Sequence, residues 1–190
     1  DIYAPVWALP GGTAGDVRFI PEINNSLSRG GRLAVALNWG NPQNRQRLTQ
    51  TGVGAPWSEA QVEAILRTLT PTELKFVNDT WAYLDSFWPA VKAKQQRVSG
   101  VVEKKVEAVP FDVVASDGTT VHMRGGYYPL VYDNDRSNAA AKRDAMQVAK
   151  EMLRGAIGAA TTRRGHTKAR VESVNEPLRL SLSVITQHVE

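Results

Sequence analysis

The stretch Thr70–Val91, TPTELKFVNDTWAYLDSFWPAV, predicts the strongest helix of this chain. Thr70 can cap its N-terminus, Pro71 has the preset φ of a first helical residue, and Glu73 can reach back to the N–H of the cap. Apolar side chains then recur at alternating spacings of three and four residues and form one stripe: Leu74, Val77, Trp81, Leu84, Trp88 and Val91. Pro89 falls inside this pattern and predicts a kink rather than a stop.

Shorter helices are predicted on the N-terminal side of this stretch. Apolar residues at helical spacing predict a first helix that ends near Gly40: Leu33, Ala36 and Leu37. Asn41 and Pro42 are typical of a cap followed by the first residue of a second helix. Ser58 and Gln61 have the spacing of a capping box and predict a third. The chain before residue 100 is therefore expected to be mainly helical.

A single β-hairpin is predicted near 111–123, where apolar and polar residues alternate on both sides of the turn dipeptide Asp117-Gly118. A long helix over about 137–158 and a C-terminal helix, in which we expect the chain to be cut, follow it. Residues 1–30 are rich in Gly, Pro, Asn and Ser and predict an extended, irregular arm. Several apolar side chains of this arm can pin it to a neighbouring surface: Trp7, Leu9, Phe19, Ile20 and Ile23.

The predicted fold class is therefore mainly α (α+β), with about five or six helices, one inserted hairpin and a long irregular N-terminal arm. Residues 31–190 are predicted to form a single domain, because 190 residues suffice for one ordinary core. Apolar residues make up 42% and charged residues 22%, which is typical of a globular protein.

Composition also excludes several classes of function. The chain has no cysteine, which rules out disulfides, thiol catalysis and cysteine-based zinc sites. Its net charge of +4, from 23 basic and 19 acidic residues, is too mild to indicate a nucleic-acid binder by itself. No run approaches the roughly 18 apolar residues of a membrane span. The first residues lack an initiator Met and the basic-then-apolar order of a signal peptide, so we expect a piece of a longer chain.

The segment Arg124–Asp133, RGGYYPLVYD, is either a binding site or a backbone device. Its paired glycines lack both the Gly-Lys-Ser/Thr ending of a P-loop and the GxGxxG of a dinucleotide site. The backbone interpretation is favoured, because glycines permit positive φ, proline holds the preceding residue extended, and tyrosine rings pack. We predict a partly buried strap, with at least one tyrosine stacked on the Trp81–Trp88 stripe. The strap residues are Gly125, Gly126, Tyr127, Tyr128 and Pro129.

No catalytic or metal-binding set is identified. His122, His166 and His188 are far apart and lack the spacing of a metal motif. Asp133-x-Asp135-x-Ser137 lacks the glycine of a calcium loop, and helix capping explains it more simply. No GxSxG elbow supports a catalytic serine. Enzymatic activity is thus uncertain and disfavoured, and no cofactor is predicted. The remaining enzyme hypothesis combines the segment Tyr127–Asp133 with His122 or His166.

Two basic segments, 92–105 and 163–170, can contact phosphates and give an alternative function in nucleic-acid binding. The first contains Lys92, Lys94, Arg97, Lys104 and Lys105, and the second contains Arg163, Arg164, Lys168 and Arg170. Neither has the interleaved aromatic residues expected for stacking on single strands. A solvated face is the favoured interpretation of both, with DNA as the alternative partner.

Four segments, taken in order, resemble one known arrangement: RLAVALNWGNPQNRQRL (32–48), LTPTELKFVNDTWAYLDSFWP (69–89), RGGYYPLVYD (124–133) and GHTKARVESVNEPLRLSLSVITQHVE (165–190). Over about residues 30 to 190 the chain resembles an internal module of the very large polyvalent proteins of tailed bacteriophages and prophages. Those proteins are strings of domains thought to travel in the virion and to enter the host with the DNA.

The resemblance implies a non-catalytic structural or interaction module of a large virion-associated, ejected protein. The implied partners are other domains of the same long chain or other virion proteins. The implied location is the virion, and then the host cytoplasm after DNA ejection. The resemblance brings no catalytic residues.

Overall fold

The computed structural model describes residues 8–49, 57–130 and 178–184. Within these ranges the chain has a mixed α+β fold, with five α-helices and two small antiparallel sheets that are each a hairpin. No helix in this part of the chain is long and apolar enough to cross a membrane. The predicted helix 137–158, the basic segment 163–170 and most of the predicted C-terminal helix lie outside the described residues.

The helices, in chain order, are α1 (Arg29–Asn38), α2 (Pro42–Thr49), α3 (Glu59–Leu66), α4 (Pro71–Ser86) and α5 (Trp88–Ser99). The strands are β1 (Arg18–Ile20), β2 (Asn25–Leu27), β3 (Phe111–Val114) and β4 (Thr120–Met123). A 3-10 turn over Pro21–Ile23 joins β1 to β2.

The predicted capping boxes of α3 and α4 are confirmed. The Ser58 hydroxyl accepts a hydrogen bond from the N–H of Gln61 (3.3 Å), and Gln61 Oε1 accepts one from the N–H of Ser58 (2.9 Å). At α4, Thr70 Oγ1 accepts from the N–H of Glu73 (3.3 Å), while Glu73 Oε2 accepts from the N–H of Thr70 (2.8 Å). Each box satisfies donors that a helix end would otherwise leave unpaired.

The core lies between α1, α3, α4 and the β3–β4 hairpin. Helix α1 packs against α2, α3 and α4 and is buried along almost its whole length. From α4, the first part of the predicted stripe enters this core, with four fully or nearly fully buried side chains: Leu74, Val77, Trp81 and Leu84. The last two residues of the stripe, Trp88 and Val91, are only half-buried.

The predicted kink at Pro89 is instead a break between two helices. Helix α4 ends at Ser86 and α5 begins at Trp88, with Phe87 between them at φ −78° and ψ −17°. Pro89 lies in the first turn of α5, where a missing N–H removes no intrahelical hydrogen bond. A proline at this place therefore starts a new helix rather than bending an old one.

The predicted hairpin near 111–123 is confirmed. Phe111 pairs with Met123 and Val113 pairs with Val121 across antiparallel β3 and β4. Gly118 has φ +88° at the turn. Alternate residues face the core, and Met123 is fully buried.

A second hairpin was not predicted, because the arm was expected to be irregular. Strands β1 and β2 pair antiparallel, with Phe19 opposite Ser26. Helix α1 begins at Arg29, inside the predicted arm, because the Ser28 hydroxyl accepts a hydrogen bond from the N–H of Gly31 (3.2 Å). From Arg18 onward the arm is thus a folded part of the structure.

Candidate interaction surface

Ion pairs at Asp16 fasten the first hairpin to the helices. The fully buried side chain of Arg32 donates through Nη2 to the Asp16 carboxylate and to the Asp16 carbonyl (2.9 Å). Arg18 Nε also donates to the carboxylate (3.0 Å). Both arginines donate through Nη1 to the carbonyl of Thr68 (3.0 Å each). The hydrogen bond from Arg18 is the main cause that holds the pKa of Asp16 below its usual value; burial opposes it and Arg32 reinforces it.

A second buried pair joins the same region to α4. Arg29 Nε donates to Glu73 Oε1 (2.9 Å), and the two side chains are 8% and 1% exposed. Arg29 Nη1 also donates to the carbonyls of Pro10 and Gly12 in the arm. Glu73 therefore caps α4 and neutralises Arg29 at the same time. The sequence indicated only the first of these roles, since the two residues are 44 positions apart.

The first hairpin consequently has a fixed inner and outer face. Ile20 is 1% exposed and lies in the core. Its strand neighbour Phe19 points the other way and is 60% exposed, and Val17, directly before β1, is 64% exposed. Successive residues of a strand point to opposite sides, so burial of Ile20 forces the exposure of Phe19. Among residues 8–30, Val17 and Phe19 are the large apolar side chains that are exposed.

The strap crosses the turn between α1 and α2. The Gly40 carbonyl accepts hydrogen bonds from the N–H of Gly126 (2.8 Å) and of Val109 (3.1 Å). Gly125 has φ +68°, and a Cβ there would lie 2.8 Å from the Gly40 carbonyl oxygen. Tyr127 and Tyr128 are only 6% and 1% exposed. The structure thus buries the strap against the helices.

Three buried asparagines hold the strap in place. Asn41 Nδ2 donates to the carbonyl of Gly126 (3.1 Å). Asn44 Nδ2 donates to the carbonyl of Tyr128 (3.0 Å) and to Asn38 Oδ1 (3.0 Å). The sequence pattern predicted the capping role of Asn41 but not the contacts of the three asparagines with the strap. Three asparagines within seven positions were the only signal.

The ring found edge-on to Trp81 is that of Phe111, with centroids 6.3 Å apart and planes at 70°. Trp81 Nε1 donates to the carbonyl of Leu37 (3.1 Å). The Tyr128 hydroxyl donates to the carbonyl of Ser181 (3.2 Å), and this hydrogen bond joins the segment 178–184 to the strap. Burial of this kind leaves the tyrosines as core residues rather than as an open ligand site.

The enzyme hypothesis finds a histidine and a carboxylate together, but in solvent. His122 Nδ1 lies 2.8 Å from Asp112 Oδ1 across β3 and β4. The two side chains are 72% and 68% exposed, so water screens the pair. Within the ranges that the structure describes, no three His, Asp or Glu side chains converge to hold a metal ion. His166 and His188 lie outside those ranges.

Exposed apolar side chains occur on three elements among the described residues. They are Val17 and Phe19 on the first hairpin, Val98 and Val101 at the end of α5, and Val114 on the second hairpin. The exposed fractions of Val98 and Val101 are 54% and 66%, and that of Val114 is 46%. Of these, Val17 and Phe19 define the candidate interaction surface.

The cations of the predicted basic segment 92–105 fall into one that is paired and four that are not. Lys105 pairs with Asp85 (2.9 Å), and Arg124 pairs with the same carboxylate (2.8 Å). The other four cations are exposed and make no ion pair with any described residue: Lys92, Lys94, Arg97 and Lys104. The residues of the other basic segment, Arg163, Arg164, Lys168 and Arg170, lie outside the described ranges, so a continuous basic face stays a prediction.

Comparison of the chain with protein-family models, with curated proteins and with solved structures found no match.

Proposed function

We propose that this chain is a non-catalytic interaction module of a large polyvalent phage protein. The single observation that carries the proposal is the outer face of the first hairpin. Phe19 is 60% exposed on a strand whose other face holds Ile20 in the core. Burying such an apolar side chain at an interface contributes about 1.5–3 kcal/mol. A rigidly presented aromatic residue suits an interface anchor, since little conformational entropy is lost on binding.

The ion pairs beneath the hairpin support this proposal. Arg32 and Arg29 hold the inner side of the arm through Asp16 and through backbone carbonyls, and Ile20 packs into the core on the same side. The arm therefore keeps its apolar outer side available for another surface. The proposed partners are other domains of the same long chain or other virion proteins, as the resemblance implies.

A second candidate function is nucleic-acid binding through the segment 92–105. It is favoured by the four exposed cations that lack an ion pair with a described residue. Phosphate contacts of this kind weaken steeply with salt, because they release counterions.

The test of the proposed interaction is a capture experiment. The purified chain is immobilised, and the other segments of its parent protein are produced separately and passed over it. Replacement of Val17 and Phe19 by serine should weaken capture by about tenfold or more, since two apolar anchors are lost. Val114→Ser is the matched control on the other hairpin and should change capture little. Equal capture by the parent chain and the Val17→Ser, Phe19→Ser variant would exclude the first hairpin as the interface.

The proposed location is tested by mass spectrometry of purified virions. Peptides of this chain should be present in intact particles and depleted in particles that have ejected their DNA. Their absence from intact particles would contradict the phage assignment, while the interface test above would keep its meaning.

A further inference from the structure

Helix α5 has little support from the part of the fold that the structure describes. Of its 12 residues only Gln95 is buried, and Trp88 and Val91 are half-buried. An isolated helix of this length is marginal in water, because helix nucleation is costly. In proteins most of the stability of a helix comes from packing against other elements. The side chains of α5 are therefore mostly open to solvent or to a partner.

The charges of α5 have one sign. The helix contains Lys92, Lys94 and Arg97 and no acidic residue, and Lys104 follows it. Arg97 lies in the last turn and offsets the negative end of the helix dipole. Lys92 and Lys94 lie before that turn, so the dipole does not account for them. The surface therefore offers positive charge that the described fold does not neutralise.

Several other cations among the described residues have partners. Lys75 pairs with Asp79 on α4, and Lys105 pairs with Asp85. The Arg45 guanidinium lies over the rings of Trp39 (4.8 Å) and Phe111 (5.0 Å). These three cations each have a partner, whereas Lys92, Lys94, Arg97 and Lys104 make no ion pair with a described residue.

Two exposed valines beside these cations favour an anionic partner that also has apolar groups. Val98 and Val101 lie between the cations Arg97 and Lys104, and they are 54% and 66% exposed. Phosphates offer nothing apolar to cover them. The segment 92–105 also contains no aromatic side chain on which a base could stack. Cations flanking aliphatic side chains are complementary to a peptide that carries carboxylates beside aliphatic residues.

We propose that α5 and the residues up to Lys104 bind an acidic segment with aliphatic side chains on a partner protein. This inference rests on the proposed function as an interaction module, and it names the chemistry of one partner. Carboxylates of the partner pair with Lys94, Arg97 and Lys104, and an aliphatic side chain covers the two valines.

The test uses the whole chain and a fluorescent amphipathic peptide of Glu, Leu and Ala, with binding followed by anisotropy at low salt. A matched peptide with Gln in place of Glu and a short duplex DNA are the comparison probes. The acidic peptide should bind at least about tenfold more tightly than the Gln peptide, a difference that corresponds to about 1.4 kcal/mol. Added salt should weaken its binding, because exposed charges are screened.

Two variants separate charge from apolar contact. Replacing Lys94, Arg97 and Lys104 by Gln should weaken binding of the acidic peptide about tenfold or more. Replacing Val98 and Val101 by Ser should weaken that binding severalfold and leave any binding to DNA unchanged. Lys75→Gln is the matched control, since it removes an exposed cation that is already paired. Circular dichroism confirms that each variant keeps its helix content.

Three outcomes overturn the proposal. Tighter binding to duplex DNA than to the peptide, insensitive to the valine variant, would establish the nucleic-acid alternative instead. Binding of neither probe, or equal binding of the Glu and Gln peptides, would show that α5 does not select carboxylates. The Val17→Ser, Phe19→Ser variant should bind the acidic peptide normally, so failure at α5 and failure at the first hairpin are separate results.

Discussion

The backbone of Gly126 lies directly against the side chain of Trp81. A Cβ atom at residue 126 would lie 2.8 Å from Trp81 Cβ and 2.9 Å from Trp81 Cγ. A Cβ on Gly40 would collide with the far edge of the same ring. The indole thus fills the gap between the strap and the turn after α1, and two missing side chains allow that approach.

Gly126→Ala is expected to destabilise the protein by about 1–3 kcal/mol or more, because backbone and a fully buried ring must move to make room. The measurement is the urea midpoint of unfolding. Gly31→Ala is the matched control: its Cβ would meet neighbours at 3.6–3.8 Å, which is ordinary contact. That substitution should be neutral or stabilise by up to about 1 kcal/mol. Similar losses in both variants would mean that Trp81 does not restrict residue 126.

Tyr128 contributes through its ring and through its hydroxyl, and two substitutions separate them. Tyr128→Ala should lower the free energy of unfolding by about 3–5 kcal/mol, the range for removing a buried aromatic ring. Tyr128→Phe keeps the ring and removes the hydrogen bond from the hydroxyl to Ser181, so a loss of about 0.5–1.5 kcal/mol is expected. Equal losses, measured by chemical unfolding, would show that the hydroxyl dominates and that ring packing on the strap is unimportant.

Glu73→Gln tests the buried ion pair with Arg29. Removing this partner leaves the buried Arg29 guanidinium with only a longer contact to Asp16 (4.0 Å) among the described residues, so the expected loss is about 3–5 kcal/mol in the free energy of unfolding. Asp79→Asn makes the same chemical change on the same helix, where the Asp79 side chain is 48% exposed and pairs with Lys75. Its expected loss is under about 1 kcal/mol. A Glu73→Gln protein as stable as Asp79→Asn would refute the importance of the buried pair.

The lowered pKa of Asp16 predicts how stability depends on acid. A carboxyl group whose pKa is lower in the folded state than in the unfolded state stabilises the fold above its unfolded pKa of about 3.9, and that contribution is lost as the pH falls towards the folded value. The parent protein should therefore lose stability more steeply below about pH 4 than Asp16→Asn does. Asparagine suits the position, because Asp16 has φ +48° and Asn tolerates left-handed backbone.

Unfolding midpoints of both proteins across acidic pH provide the measurement. Parallel curves would mean that the contacts of Asp16 with Arg18 and Arg32 contribute equally in both protonation states. At neutral pH the Asn variant should already be the less stable of the two, since Arg32 is fully buried and loses its only anionic partner among the described residues.

The elements that could be predicted from sequence are those that local chemistry determines. The caps of α3 and α4 depend on residues three positions apart, and the second hairpin depends on alternation around Asp117-Gly118. The first hairpin escaped prediction because its strands have three residues each, too few for an alternating pattern to emerge. A break at Phe87 escaped it as well, since the apolar stripe continues in sequence across the gap.

The candidate surface was only partly predictable for a related reason. Phe19 and Ile20 both appeared able to anchor the arm, and only the pairing of β1 with β2 decides which of them faces the core. The cations of 92–105 were identified, but their division depends on Asp85, which pairs with Lys105 and leaves Lys104 exposed. Pairings across distant positions depend on the assembled fold, and a residue pattern alone does not reveal them.

The carbonyl of Gly40 receives hydrogen bonds from residues on both sides of the second hairpin, Val109 before β3 and Gly126 after β4. The segment between these two residues thus begins and ends at one carbonyl oxygen, and the turn at Gly118 lies at its far end. Extra residues inserted between Asp117 and Gly118 would lengthen this segment without separating Val109 from Gly126. This turn is accordingly a place where an epitope or a fluorescent label can be carried while the helices remain assembled.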